Sequence, residues 1–249
     1  MEYALVTVPA APVRRKPRHR AEMINQLLFG EAVKILKTKD AHWIKVRSLY
    51  DSYEGWLTYN MIRPVAKNLL REQPVKLAGE LLAPLQTGDQ TMHIPLGSSL
   101  RIAEGDNAVQ YQGTLIDTTK LIPDSEMAKA IALRWLNAPY LWGGRTLLGV
   151  DCSGFVQVVF KLIGISLPRD AWQQAQEGHP VKKLKDALTG DLAFFDDRDE
   201  IVHVGMMIGN DQIIHSSGQV RIDKIDKEGI INTDTGKRTH RLRAVKRYW

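Results

Sequence analysis

The chain has 249 residues with 34 basic and 28 acidic side chains, a net charge of +6, and one Cys; this length suits one large domain or two to three small ones. Its 44% hydrophobic and 25% charged content is that of a globular chain and excludes wholesale disorder. No uncharged run exceeds 11 residues, too short for a membrane-spanning helix, and one Cys excludes an internal disulfide framework or a Cys-rich zinc module.

Residues 1–9 lack a basic region ahead of their apolar residues and run into proline early, so they do not read as a signal peptide. A cytoplasmic location is expected, or a periplasmic or extracellular one if a leader has been removed, with no membrane insertion. Residues 3–8 and 32–36 are β-rich, 42–47 alternate with period two, and a polar turn over 50–55 leads into 56–59. Short strands at this spacing predict a small all-β barrel over 1–64. Residues 26–35 and 92–102 share an apolar pair, a Gly turn and a strand-like run, which suggests a second barrel over 65–122. From residue 123 the texture changes. Pro123, Asp124 and Ser125 start a helix expected over 126–137, and a second helix is expected from Cys152 to Ile163, stopped by Gly164. Strands are expected over 191–195, 201–208, 212–216 and 241–248. Helices followed by an antiparallel sheet make 123–249 an α+β domain.

The positive charge is concentrated. Residues 14–20 hold five Arg or Lys and 237–247 hold six, which leaves 23 basic against 28 acidic side chains elsewhere. Such windows could attract an anionic polymer. They read instead as a solvated loop and an edge strand, because no basic helix or aromatic platform accompanies them, and no nucleic-acid partner is expected.

Cys152 sits at the start of a predicted helix, where unpaired N–H groups and the helix dipole favour a thiolate. It could equally be a small buried apolar residue. His203 and His215 lie on adjacent predicted strands, and a three-residue loop at 209–211 makes them diagonal neighbours on one face. A two-residue loop would separate them. A Cys at a helix start beside two such histidines makes a nucleophile, a base and an orienting group; two His and a Cys could also bind zinc. Catalysis by the thiol explains the helix position better, so no metal and no cofactor is expected. The other histidines, His19, His42, His93, His179 and His240, read as surface residues.

Five motifs then follow in order: Tyr140-Leu141-Trp142-Gly143-Gly144, Asp151-Cys152-Ser153-Gly154-Phe155, Leu167-Pro168-Arg169-Asp170, Gly190-Asp191-Leu192-Ala193-Phe194-Phe195 and His203-Val204-Gly205. With them the region 124–249 resembles the NlpC/P60 cysteine peptidases, and 1–64 resembles a bacterial SH3 domain, notably over 22–31 and at Gly55-Trp56. The resemblance implies a papain-like α+β catalytic domain behind two SH3-like barrels, the layout of γ-D-glutamyl-L-diamino acid endopeptidases. It implies Cys152 as nucleophile, His203 as base, His215 as orienting residue and Tyr140 as an oxyanion contact. It further implies that Glu22, Tyr53 (or Tyr59) and Asp151 bind the free amino group of L-Ala in a murein peptide, with Ser153 and Asp170 as substrate contacts. A monomer acting on released wall peptides is the expectation. An amidase or acyltransferase on the same fold, or a wall-binding protein without activity, are the alternatives.

Overall fold

The computed structural model describes residues 2–70, 76–101 and 109–249. The chain forms two compact units, Met1–Leu121 with Trp142–Leu147, and Ile122–Leu141 with Leu148–Trp249. Among the described residues no helix is long and apolar enough to cross a membrane.

In the first unit, β1 (Tyr3–Val6), β2 (Ala10–Arg14), β3 (Met23–Leu28), β4 (Ala32–Lys39), β5 (Trp43–Ser48), β6 (Glu54–Thr58) and β7 (Ile62–Val65) form one sheet ordered β3-β2-β6-β5-β4-β1-β7. The alternating residues Ala4, Val6, Ala11, Val13, Ile44, Val46 and Leu57 fill its core. The strands β2 and β3 were not expected. β2 carries Pro12, which removes a ladder donor, yet β2 meets β6 only at Arg14 opposite Trp56, so Pro12 interrupts no pairing there. The first basic window lies mainly in the loop between β2 and β3, as a solvated loop would.

Beyond this sheet, β8 (Lys76–Ala78) pairs with β12 (Leu115–Asp117), while β9 (Leu82–Thr87) pairs with both β10 (Gln90–Pro95) and β11 (Val109–Tyr111). Residues 102–108, including Ile102 of the expected internal match, and 71–75 lie outside the described residues. Phe29, in the turn after β3, packs into the core of these strands with Ala78, Leu85, Ile94 and Leu100. The backbone approaches closely at the same place. The Ser99 N–H donates to the Phe29 carbonyl at 2.8 Å. Gly30 has φ +71°, and a Cβ there would stand 1.8 Å from the Ser99 carbonyl oxygen.

The segment Trp142–Leu147, expected within the third module, packs in this first unit. Its β13 (Arg145–Thr146) supplies the reason. The Arg145 guanidinium forks onto both carboxylate oxygens of Glu31 at 2.8 and 3.0 Å, with both side chains buried. A buried pair of this kind holds because neither charge can be left alone.

In the second unit, α1 (Ser125–Leu133) is capped by the Asp124 carboxylate, which accepts from the Met127 N–H at 2.7 Å. It ends four residues earlier than expected. After β14 (Gly149–Val150) comes α2 (Cys152–Leu162), every residue of which is buried. Its Phe155 meets Trp135 edge-on and its Phe160 meets Tyr248 and Trp249. Each large apolar side chain so buried contributes about 1.5–3 kcal/mol. The short α3 (Ala171–Gln174) and β15 (His179–Pro180) follow, and then β16 (Leu192–Asp197), β17 (Glu200–Met207), β18 (Gln212–Ser217), β19 (Gln219–Asp226), β20 (Gly229–Ile231) and β21 (Arg238–Arg247).

These strands run β15-β21-β16-β17-β18-β19-β20, and β20 also pairs with β21, so the sheet closes on itself. The basic C-terminal run is therefore no edge strand. β21 is paired on both sides, and its charges are met by acids from elsewhere in the unit: Arg241 by Asp196, Arg247 by Asp191, Arg238 by Asp226. That ion pairing removes most of the expected basic patch. Ala193, Phe195, Met207, Ile213, Ile225, Ile230 and Val245 fill the enclosed space.

Replacing Gly30 by Ala is expected to lower the unfolding free energy by at least about 2 kcal/mol, from positive-φ strain plus displacement of the Ser99 carbonyl. Urea unfolding of the variant against wild type measures it.

Candidate active site

Two backbone devices bring the site together within the second unit. The Asp151 carboxylate caps α2, accepting from the Gly154 N–H at 2.7 Å, and so places Cys152 at the first helical position. The Ser216 hydroxyl donates to the Val150 carbonyl at 2.8 Å, tying β18 to the residues just before the helix.

The pleat does the rest. Gly205 stands opposite His215, which makes His203 the diagonal neighbour of His215 on one face, as the loop length predicts. The His203 Nε2 and His215 Nδ1 atoms are 2.8 Å apart, and both rings are buried. A Cβ on Gly205 would meet the His215 Cβ at 2.8 Å, so glycine is needed for the strands to close at this point. Cys152 Sγ is reached by the backbone N–H of Val204, the residue after His203, and by that of Ser153.

The expected resting thiolate is not supported. Burial, and then the Asp151 charge, push the Cys152 thiol up to about 12; the N–H groups of Val204 and Ser153 and the Arg169 charge only partly offset this. Burial, then His215 and His240, hold His203 well below the usual histidine range. The helix N-terminus does act as expected in direction, but desolvation outweighs it. The resting site is a neutral thiol beside a neutral imidazole.

Asp151 is 4% exposed and both its oxygens are engaged, Oδ1 by Arg169 at 3.0 Å and Oδ2 by Arg169 at 2.6 Å. Ser153 Oγ lies in the same buried cluster, 2.9 Å from Arg169 and 3.3 Å from Asp151. Arg169, from the Leu-Pro-Arg turn, is thus the counter-charge behind the nucleophile. Asp170 opens α3 through a capping box with Gln173. The Tyr140 N–H donates to the Gly218 carbonyl at 2.9 Å, and the side chain is 37% exposed. Burial, then the nearby Cys152 and Asp151, push its hydroxyl up to about 12, so it keeps the proton it would donate.

Two of the expected substrate residues belong to the first unit. Glu22 accepts from Arg15 Nε at 2.6 Å and from the Trp142 indole N–H at 2.9 Å; its side chain is 41% exposed. Tyr53 is half-buried in the turn before β6, with its N–H on Asp51 at 3.1 Å. Tyr59 follows β6 and is exposed.

Two residues of the second unit escaped the sequence reading. His240, expected at the surface, instead stacks on His203 with ring centroids 4.2 Å apart and planes 23° from parallel. Burial, then His215, bring it down to about 4, so it lies neutral against the base. Asp223 accepts from His215 Nε2 at 3.0 Å, and Arg221 and the Thr233 N–H also donate to it. Burial opposes its charge, but bonds from His215, Arg221 and Thr233 together outweigh that and hold it ionised. The signal for Asp223 was present. His215 stands opposite Arg221, so the diagonal rule that links His203 to His215 reaches Asp223 one strand further on. Among the described residues no cluster of three or more His, Cys, Asp or Glu is placed to hold a metal ion.

Comparison with known proteins agrees with this geometry. The model of the NlpC/P60 family matches residues 137–239, and that of the bacterial dipeptidyl-peptidase Sh3 domain matches 13–60. The chain is 25% identical to dipeptidyl-peptidase 6 of Lysinibacillus sphaericus over 90% of its own length and 92% of that protein. It is 27% identical to a gamma-D-glutamyl-L-lysine dipeptidyl-peptidase of Bacillus cereus, over 86% of this chain and 74% of the relative. To the Escherichia coli murein DD-endopeptidase MepS/murein LD-carboxypeptidase it is 42% identical, over 62% of this chain and 82% of the relative. The crystal structure of an NlpC/P60 family protein from Bacillus cereus shares the fold, with a TM-score of 0.81 at 20% identity, covering 99% of each chain.

The neutral resting pair predicts that the far-ultraviolet absorbance of a thiolate, taken as wild type minus Cys152→Ala, is absent at neutral pH and grows only in strong alkali. A thiolate band at neutral pH would contradict it.

Proposed function

Since the chain belongs to the NlpC/P60 family of cysteine peptidases, we propose that it cuts the bond between γ-D-glutamate and the diamino acid of murein stem peptides bearing a free N-terminal L-Ala, in turnover or recycling of wall peptides. One observation carries the reading: Cys152 opens a capped, buried helix with its sulfur at the N–H of Val204, beside a His203 that is itself bonded to His215.

In this mechanism the substrate γ-carbonyl comes to Cys152, the thiol proton passes to His203, and sulfur attacks the carbonyl carbon. The oxyanion takes hydrogen bonds from the Cys152 N–H and the Tyr140 hydroxyl. His203 then gives its proton to the leaving amine, the C–N bond breaks, and a thioester remains. Water, deprotonated by His203, attacks the thioester and restores the thiol. His215 holds the ring of His203 throughout. Because the resting pair is neutral, charge separates only as the substrate arrives.

The resemblance assigns the amino-group requirement to Glu22 and Tyr53, with Glu22 giving up its exposed pairing with Arg15 for the ammonium. Asp151, whose charge is already met by Arg169, acts through the local potential rather than by a free carboxylate. Residues 65–122 are read as a second SH3-like module, with 1–64 as the first and 123–249 as the peptidase.

L-Ala-γ-D-Glu-diaminopimelate should yield the L-Ala-γ-D-Glu dipeptide by mass spectrometry, and Cys152→Ala should abolish the product while still binding the peptide. No dipeptide from reduced wild-type protein would remove the reading. Acetylating the L-Ala amine is expected to lower kcat/KM by at least about tenfold, since an acid placed for an ammonium would lose its partner.

A further inference from the structure

We propose that Asp223 is the positioning residue that, acting through His215, fixes His203 in the tautomer whose lone pair lies on Nδ1, the nitrogen that takes the Cys152 proton. The inference rests on the reading of Cys152 and His203 as nucleophile and base, and extends it to a residue two strands away from His203.

Donors and acceptors alternate along the relay. An ionised carboxylate can only accept, so the 3.0 Å contact between His215 Nε2 and Asp223 Oδ2 requires hydrogen on that nitrogen. When His215 carries that single ring proton, its lone pair is on Nδ1. The 2.8 Å contact from there to His203 Nε2 makes His203 the donor, with hydrogen on Nε2. A neutral His203 has one lone pair left, on Nδ1, the ring nitrogen that the relay does not use. When Nδ1 takes the thiol proton, the imidazolium keeps its Nε2 hydrogen on His215, and His215 keeps its own on Asp223. No proton travels along the relay.

Asp223 is built for this task. Arg221 grips it through Nε on Oδ2 at 2.8 Å and Nη2 on Oδ1 at 2.9 Å, and the Thr233 N–H donates to Oδ1 at 2.8 Å. The side chain is 1% exposed, so water offers no alternative partner. Stacking of His240 on the face of His203 keeps that ring from turning away. The arrangement also says what an isosteric change does. In Asp223→Asn a carbonyl oxygen in the Oδ1 place keeps the Arg221 Nη2 and Thr233 N–H bonds and sets the amide NH2 against Arg221 Nε alone, whereas the opposite placement sets it against both of those donors; the first placement turns the NH2 toward His215. His215 must then accept on Nε2 and carry hydrogen on Nδ1, and His203 follows with its lone pair on the wrong nitrogen.

The test is long-range 1H–15N spectroscopy of the imidazole rings in the full-length, reduced protein at slightly alkaline pH, beside steady-state kinetics on the stem peptide. In wild type both His203 and His215 should show the Nε2–H tautomer. Hydrogen on Nδ1 of His203 overturns the proposal, and this measurement needs neither a variant nor a substrate. In Asp223→Asn with an unchanged circular dichroism spectrum, both rings should switch to Nδ1–H. There kcat should fall by about 10³–10⁴-fold, as when an orienting carboxylate is made an amide in serine proteases, with KM within a few-fold. A folded variant with kcat within threefold of wild type, a value of roughly no effect beside that loss, overturns it. Should wild type fail to cut the peptide at all, the functional reading falls while the tautomer result stands.

Discussion

The second unit depends on the period of two along a β-strand. His203, Gly205 and Met207 share one face of β17, Ile213 and His215 one face of β18, Asp223 and Ile225 one face of β19. That single face is apolar at one end, where Met207, Ile213 and Ile225 form the core, and polar at the other, where the two imidazoles and the carboxylate meet. A slip of one residue in either register would carry the histidines out of the enclosed space and break the core with the same stroke. Stability and the polar relay are therefore specified by one alignment. Closure through β21, which pairs with β16 on one side and β20 on the other, leaves that alignment no free edge from which to slip.

The electrostatics follow from the same enclosure. Placing a thiol and an imidazole where water is scarce favours their neutral forms, and the structure answers by compensating its fixed charges in pairs. Asp151 has Arg169 and Asp223 has Arg221, each at hydrogen-bond distance. The field of the carboxylates that shape the site is thus reduced by their guanidiniums, and at the sulfur only the part of the Asp151 field that Arg169 does not offset remains. The helix N-terminus contributes donors to the sulfur, which matter most once negative charge has formed there.

Much of this was legible in the residues, and the failures have physical causes. The helix at Cys152 was readable because Asp151 and Gly164 mark both its ends around an apolar run. The pairing of His203 with His215 was readable from the loop length alone. Asp223 and His240 were not read because β19 does not alternate cleanly: Asp223 is buried at an inward position, where an acid argues against a core-facing strand. His240 stood in a run of arginines that looked solvated, since nothing in the local sequence shows that Asp196 and Asp191 neutralise its neighbours from another strand. The short helix α3, capped by Asp170, was too brief for any periodicity to appear.

The buried pair of Glu31 and Arg145 bears on how this chain can be dissected. Its members are 114 positions apart, and the second lies in a segment flanked on both sides by residues of the other compact unit. A fragment ending at Leu121 would lack the guanidinium that forks onto Glu31 and would leave that buried carboxylate without the cation that balances it. No single cut in the backbone therefore separates the two units with each intact. Gene fragments for expression, and any exchange of modules with related chains, have to carry residues 142–147 with the first unit or replace the acid at position 31.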